Sequence, residues 1–182
     1  MPPLTLCLAS LRHEHEIHPP AAGPLRRGIL KGLDMARAQI FKSRIDWSDL
    51  DLLGHVNNIA FSRFFQAARV EYCGRVGMEV YQGMKTGPIL AASRVQFTAQ
   101  LFFPGNVRIL TRCKKAGGTS IVLEHALFDD AGTMCAFAED VVVRYDFEAK
   151  TKIPLGDGVR EKIAAYEDAC EGEFPDLSEQ IR

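Results

Sequence analysis

The clearest hydrophobic pattern in this chain lies between residues 58 and 76, where apolar side chains recur at intervals of three and four. This spacing is typical of one face of an α-helix. The members of the stripe are Phe61, Phe64, Phe65, Ala68 and Tyr72. The pattern predicts an amphipathic helix from about Asn58 to Val76, whose aromatic face packs into the core and also lines a pocket.

Alternating polar and apolar positions predict strands on both sides of this helix. One strand precedes it, and four follow it with Gly-, Pro- and Asp-rich turns between them. The predicted strands cover residues 39–47, 94–103, 107–114, 119–128 and 134–147. The order predicts an α+β fold in which a curved antiparallel sheet wraps around one long central helix.

Residues that interrupt helices and strands, together with local composition, divide the chain into three segments. Residues 1–36 are rich in Pro and Gly, so they are expected to form an irregular, disordered leader, in which His13, His15 and His18 are solvated rather than metal-bound. Residues 37–150 are expected to form the domain. Residues 151–182 are expected to form a C-terminal helix, near 159–170, and an acidic tail. The sequence leaves open whether Met35 is the true translation start.

The composition of the chain argues against several classes of binding partner. Charged residues make up 25% of the chain, and the net charge is −1, which suggests neither a nucleic acid nor an anionic membrane surface. No apolar run is long enough to span a membrane. The five cysteines are scattered without metal-ligand spacing, so we expect reduced thiols, no metal and a cytoplasmic location.

The most informative polar run extends from Asp49 to Asn58, directly before the predicted helix. A helix N-terminus offers unpaired N–H groups and the positive end of the helix dipole, which suit a developing negative charge. A carboxylate beside such donors can attack a carbonyl or activate water. Asx residues before a helix are also common caps and turn formers. The combination with Gly54 and His55 favours chemistry, because a cap requires neither.

This run, read as Asp-x-Asp-x-x-Gly-His-Val-Asn-Asn and followed by an aromatic-rich helix, resembles the 4-hydroxybenzoyl-CoA thioesterase-like family of hotdog-fold acyl-CoA thioesterases. The resemblance covers roughly residues 38–147. It implies that Asp51 is the catalytic carboxylate, as nucleophile or as general base. Plant-type acyl carrier protein thioesterases are similar here, but they have Asn where this chain has Leu53.

The resemblance also assigns roles around Asp51. Backbone N–H groups of Val56, Asn57 and Asn58 are expected to receive the thioester oxyanion, and the His55 and Asn58 side chains to orient the reacting groups. Asp49 is interpreted as a loop-shaping residue. Glu71 is a possible second carboxylate, although a surface ion pair is the safer interpretation.

A second candidate site is the glycine-rich hairpin that contains Lys114, Lys115, Thr119 and Ser120. Lysines at such a turn are mostly solvated, but lysine, hydroxyl and free N–H groups also form phosphate cradles. In similar family members the hairpin lies near the CoA phosphates, so we assign it to CoA binding.

The resemblance further implies a homodimer or homotetramer with acyl-CoA as substrate. No cofactor is expected, since a thioester is already an activated acyl group. Two alternatives remain open: a hotdog hydratase or dehydratase acting on acyl thioesters, and a non-catalytic acyl-CoA-binding module.

Overall fold

The computed structural model describes residues 37–78 and 80–177. Seven strands and two α-helices follow one another in the described chain. Their bounds are β1 Arg37–Arg44, α1 Asn58–Arg75, β2 Thr86–Phe97, β3 Asn106–Ala116, β4 Ser120–Phe128, β5 Met134–Asp146, β6 Thr151–Lys152, α2 Asp157–Asp168 and β7 Gly172–Glu173. The predicted leader and its histidines lie outside the described residues.

The strands form one antiparallel sheet in the order β2-β5-β4-β3-β1-β7, and β6 pairs with the end of β5. Helix α1 lies in the concave face of this sheet. Its aromatic stripe, including Phe61, Phe64 and Phe65, is buried against Val107, Ile109 and neighbouring side chains of the central strands. The predicted curved sheet around one long helix is therefore confirmed.

The second helix closes the far end of the core. Val159 and Ile163 of α2 pack with Tyr72 and Val76 of the α1 segment. The Glu167 carboxylate accepts hydrogen bonds from the Tyr72 hydroxyl and the Cys113 N–H. This carboxylate ties α2 to both α1 and β3.

The segment after α2 was predicted as an acidic tail, but it contributes to the core. Gly172 pairs with Ala38 at the edge of β1. Phe174 and Leu177 are buried against Leu110, Ala126 and Phe137 on the outer face of the sheet. The tail's apolar residues were overlooked because acidic residues surround them.

The predicted strand at residues 94–103 was wrong in its bounds, because β2 begins eight residues earlier and ends at Phe97. The pairing with β5 ends at Phe97, beyond which the N–H groups of Thr98 and Ala99 both donate to the Cys135 carbonyl. The first half of the strand was not predicted, because it contains small residues and Pro88 and lacks a clear strand pattern. Proline is tolerated there because β2 is an edge strand.

The first predicted strand is also shorter than expected. It ends at Arg44, and a single 3₁₀ turn follows at Trp47–Asp49. The Asp46 side chain caps this turn by accepting a hydrogen bond from the Ser48 N–H. An N-cap residue has already left the ladder, so the strand cannot continue through it.

Two expectations about the whole chain can be compared with the described part. Neither helix found there has the length and apolar character needed to cross a membrane. Likewise, the described residues bring together no group of His, Cys, Asp or Glu side chains suited to a metal. Cys73, Cys113, Cys135 and Cys170 are free thiols.

Candidate active site

The loop between β1 and α1 is built on Asp49, which is almost completely buried. Its carboxylate accepts a hydrogen bond of 2.8 Å from the Asp46 N–H and pairs with the Arg63 guanidinium on α1. Its carbonyl accepts a 2.8 Å hydrogen bond from the Asn57 N–H. Asp49 thus joins the 3₁₀ turn to the start of α1, in agreement with the loop-shaping interpretation. Sequence reasoning missed Arg63, because nothing in the spacing linked it to the loop.

A tighter turn inside this loop holds Asp51. Leu50 and Val56 form an isolated antiparallel bridge, and the Asp51 N–H donates to the His55 carbonyl at 2.8 Å. Gly54 completes the turn at φ +81°, in the left-handed region that favours glycine. The motif glycine therefore has a backbone role.

The Asp51 carboxylate is oriented by this turn. Its Oδ1 accepts hydrogen bonds from the Leu53 N–H at 2.8 Å and the His55 N–H at 3.2 Å. Within the described residues Oδ2 has no hydrogen-bond partner. One oxygen fixes the side chain, and the other is available for chemistry.

The start of α1 offers fewer free donors than the sequence suggested. The Val56 N–H donates to the Leu101 carbonyl at 2.9 Å, and the Asn57 N–H is engaged by Asp49. These two groups cannot also receive an oxyanion, so their assignment was wrong. The Asn58 N–H has no acceptor among the described residues, and it remains the candidate donor at the helix N-terminus.

The side chains that follow Asp51 differ in their surroundings. Asn57 is the N-cap of α1, with its Oδ1 accepting from the Ile59 N–H at 2.9 Å. The His55 ring packs edge-on against Phe102, with ring centroids 5.2 Å apart, while its backbone contacts Asp51. Asn58 is exposed and has no side-chain hydrogen bond in the described part of the chain.

Apolar side chains surround the Asp51 turn in contact with solvent. Leu52 is fully exposed, and Leu53 and Trp47 expose 79% and 73% of their surface. Ile59, Phe102 and Phe103 add to this apolar rim. A rim this apolar is typical of a surface that another molecule covers.

The Lys114 hairpin lies far from Asp51 in the same chain. Strand β3 begins beside the Asp51 loop, where the Ile45 N–H donates to the Gly105 carbonyl, and runs for on the order of 30 Å to the hairpin. Lys114 Nζ contacts Glu124 at 2.9 Å and Glu139 at 2.8 Å, and these hydrogen bonds raise the pKa of Lys114. Lys115 is exposed, and Thr119 and Ser120 are half-buried.

Glu71 is also distant from Asp51. It lies about 20 Å further along the axis of α1 than Asn58, at 1.5 Å per residue. Its carboxylate is exposed and lies 3.9 Å from Arg75 Nη2 one turn later. This geometry matches the surface ion pair and not a second carboxylate for Asp51 of the same chain.

One polar group of residues was missed entirely by sequence reasoning. Arg69 of α1 pairs with Asp140 of β5, and His125 Nε2 lies 3.3 Å from Asp140 Oδ2. The Thr111 hydroxyl lies 2.9 Å from His125 Nδ1. Thr111, His125 and Asp140 are completely buried. These four residues are called the buried polar cluster below. They come from four separate segments of the chain, so no sequence signal united them.

The surroundings of His125 and Asp140 determine the protonation states of these two residues in the buried polar cluster. Burial lowers the pKa of His125, so its ring is neutral near pH 7. Burial alone would raise the pKa of Asp140, but the neighbouring His125, Ser93 and Arg69 outweigh it and hold the pKa at about 2. The cluster therefore contains one compensated ion pair.

A curved antiparallel sheet wrapped around one long helix defines the hotdog class of proteins. Comparison with known families agrees, because residues 45–163 match the thioesterase-like superfamily. The chain belongs to this superfamily.

Solved structures share the fold. The PA5185 protein from Pseudomonas aeruginosa strain PAO1 is 25% identical, with a TM-score of 0.65 over 75% of this chain and 96% of that one. A thioesterase from Thermus thermophilus, complexed with coenzyme A and Zn, is 24% identical, with a TM-score of 0.62 over 75% and 98%. The DHNA-CoA thioesterase from Staphylococcus aureus is 17% identical, with a TM-score of 0.64 over 76% and 97%. The last two similarities establish the hotdog fold.

Proposed function

We propose that this protein is an acyl-CoA thioesterase of the 4-hydroxybenzoyl-CoA thioesterase-like branch, which hydrolyses an acyl-CoA to a free acid and CoA. The observation that carries the proposal is the Asp51 carboxylate. One of its oxygens is held by two backbone N–H groups, and the other is open beside the start of α1. Neighbours described as thioesterases, one of them bound to CoA, add support.

The chemistry follows from this placement. Asp51 Oδ2 either attacks the thioester carbon directly or takes a proton from a water that attacks it. The carbonyl oxygen gains negative charge and is received by the Asn58 N–H and the positive end of the α1 dipole. Collapse of the intermediate breaks the C–S bond and releases the CoA thiolate. If Asp51 attacked, water then hydrolyses the acyl-aspartate anhydride. Neither route requires a metal or redox cofactor.

We further propose that the enzyme is at least a homodimer joined along β2. This twelve-residue strand has no partner on its outer side within the described chain, and such edges are commonly paired. Antiparallel pairing of two copies about a two-fold axis would place the Thr86 end of one β2 beside the Phe97 end of the other. The apolar rim around Asp51 would then be covered by the partner.

The proposed dimer also determines which active site the Lys114 hairpin could serve in CoA binding. Within one chain the hairpin is too far from Asp51 to hold the other end of the same ligand, so we assign the hairpin to a thioester bound at the partner's Asp51. Lys115, Thr119 and Ser120 are the candidate phosphate contacts. Lys114 has a smaller part, because two carboxylates already hold its ammonium. The four free thiols in the described chain agree with a reducing, cytoplasmic environment.

Thiol release from a panel of acyl-CoAs tests the function directly, since a hydratase leaves the thioester intact and a binding module releases nothing. We expect release by the wild-type protein and a dimer or tetramer by light scattering. Intact thioesters after incubation with every acyl-CoA would refute the activity. A monomeric mass in an active preparation would refute the assembly.

A further inference from the structure

The hairpin between β3 and β4 is held in place by the chain around the start of α2. The Arg160 guanidinium donates hydrogen bonds to the Ala116 carbonyl at 2.9 Å and to the Gly117 carbonyl. The Leu155 N–H donates to the Gly118 carbonyl at 2.9 Å. Three consecutive carbonyl groups of the hairpin therefore have donors in one neighbouring segment. The chain from Leu155 to Arg160 is called the supporting segment below.

The direction of these carbonyl groups fixes the direction of the next N–H groups. In a planar trans peptide unit the C=O and the N–H point in opposite directions. The Gly117 carbonyl shares its unit with the Gly118 N–H, and the Gly118 carbonyl shares its unit with the Thr119 N–H. Because both carbonyls face the supporting segment, both N–H groups face away from it. Neither N–H has a hydrogen-bond acceptor within the described residues, so two adjacent donors are left for a ligand.

The surroundings of these two N–H groups suit an anion. Successive free N–H groups in a turn are a recurring binding site for phosphate. Gly118 is exposed, and a Cβ built on it would meet no other atom of the described chain within 4 Å, so there is room beside the pair. The exposed Lys115 ammonium adds a positive charge on the same hairpin. The Gly117 N–H is not part of this pair, because it donates to the Ser120 carbonyl at 2.7 Å.

The supporting segment is itself anchored to the domain. Leu155 and Val159 are buried in the core. Arg144 of β5 donates through Nη1 to the Leu155 carbonyl at 2.7 Å and through its backbone N–H to the Thr119 carbonyl at 2.9 Å. Successive glycines have more backbone freedom than other residues, so a hairpin that contains them needs such external contacts to keep one geometry. The hairpin is thus ordered during folding and not at the moment of binding.

We infer that Arg160 is a positioning residue for CoA, which holds the hairpin carbonyls so that the Gly118 and Thr119 N–H groups receive a phosphate of the nucleotide. The inference rests on the proposed function, in which this hairpin serves CoA. Arg160 acts through the hairpin and not by contact with the phosphate. A guanidinium suits this role, because its planar fork binds two acceptors at once. Without it the carbonyls are free to turn toward the ligand, where their oxygen atoms would repel a phosphate.

Arg160→Met tests the inference, because it keeps the length of the side chain and removes both hydrogen bonds. We expect KM for acyl-CoA and Kd for free CoA to rise by about tenfold, since the variant loses backbone hydrogen bonds to a charged group. Turnover should change little, because the phosphates are remote from the reacting carbonyl. An acyl-pantetheine thioester, which lacks the nucleotide, should keep its KM. Lys162→Met is the matched control, since it removes a charge from another exposed position of α2.

Two further measurements separate positioning from charge and from general stability. Arg160→Lys keeps the charge but lacks the planar fork, so it should recover little of the affinity for CoA. Full recovery would assign the effect to charge and overturn the inference. The amide NMR signals of Gly118 and Thr119 should shift when CoA is added to wild type. If Arg160→Met lowers the melting temperature, these wild-type signals decide, and their failure to shift would overturn the inference.

The inference and the proposed function can fail separately. Thiol release by wild type, with unchanged KM and Kd in Arg160→Met, would overturn the inference and leave the function standing. An equal rise in KM for the acyl-pantetheine thioester would also overturn it, because the nucleotide would not be involved. Weaker CoA binding by Arg160→Met, with no thiol release from wild type, would remove the thioesterase activity and retain the role of Arg160.

Discussion

The Asp51 turn and the buried polar cluster are both polar groups of residues in contact with α1, but they differ in almost every other respect. Asp51 lies in a loop whose two following leucines are largely or fully exposed. The Arg69–Asp140 pair lies under the helix, with His125 and Thr111 completely buried behind it. The loop is contiguous in sequence, whereas the cluster is assembled from one helix and three strands.

Under the proposed function, the difference separates a reactive group from groups that hold the fold in place. Reactive groups need access to a substrate, so a carboxylate that does chemistry is placed on a turn at the molecular surface. The buried polar cluster can lie under the helix, because its carboxylate has only to hold the Arg69 guanidinium in position. Variants of the two regions should therefore fail differently.

Asp51→Asn should have the largest effect. The amide oxygen can still accept the hydrogen bonds of the Leu53 and His55 N–H groups, but the charge needed for attack or proton abstraction is gone. We expect turnover to fall by about a hundredfold or more, with a nearly unchanged melting temperature. Asp146→Asn is the matched control, since Asp146 Oδ1 also accepts two backbone N–H groups in a turn. Near-normal thiol release by Asp51→Asn would disprove the assignment.

Asp49→Asn should damage stability instead. Asp49 is buried, pairs with Arg63 and accepts the Asp46 N–H, so loss of its charge weakens both of these side-chain contacts. We expect the free energy of unfolding to fall by about 1–3 kcal/mol, measured by denaturant titration. These contacts make Asp49→Asn unsuitable as a control for Asp51→Asn. A variant as stable as wild type would show that these contacts of Asp49 are not needed.

The buried polar cluster predicts a loss of stability in mild acid. His125 has a lowered pKa when folded, so below about pH 6.5 the unfolded chain binds a proton that the folded chain does not. Stability is then complete above pH 6.5 and declines below it, by at most about 1.4 kcal/mol per pH unit for one group. Denaturant titrations between pH 5 and 8 would measure this slope. His125→Gln should flatten it, and an unchanged slope would assign the effect to other groups.

Substitution of the hairpin lysines should have the smallest effect on activity, and the effect should differ between Lys114 and Lys115. Lys115→Ala is expected to raise KM for acyl-CoA severalfold with little change in kcat, since phosphate contacts are remote from the reacting carbonyl. Added salt should reduce the difference. Lys114→Ala should alter KM less, because Glu124 and Glu139 already hold that ammonium. Equal impairment with a thioester that lacks the nucleotide would contradict the phosphate role.

Much of the fold could be predicted because periodicity reports burial directly. The stripe from Phe61 to Tyr72 predicted α1 almost to the residue, and the Gly-, Pro- and Asp-rich turns between strand-like runs predicted β3, β4 and β5. Strand β2 was misplaced, because its first half contains Pro88 and small side chains and its apparent continuation to Phe103 leaves the ladder after Phe97. Alternation of polar and apolar residues shows which face of a strand could be buried, but it does not show where the strand stops pairing with its neighbour.

The site was predictable only where its residues are neighbours in sequence. The position of Asp51 in a turn before α1 followed from the motif. The use of the Val56 and Asn57 N–H groups by Leu101 and Asp49 could not be foreseen, because it depends on how distant segments meet. The same holds for Arg63 and for Arg69, whose partners are set by tertiary packing.

The β7 segment has a consequence for the order in which the protein can assemble on a ribosome. Strand β1 is synthesised before the other strands, yet it lies between β3 and β7, and its Ala38 pairs with Gly172. Strand β1 cannot pair until β3 has been synthesised. The outer face of the sheet over Leu110, Ala126 and Phe137 remains exposed until Phe174 and Leu177 have been synthesised. Such long sequence separations slow folding. A nascent chain stalled before Phe174 should therefore expose this apolar face to chaperones, while the completed chain buries it.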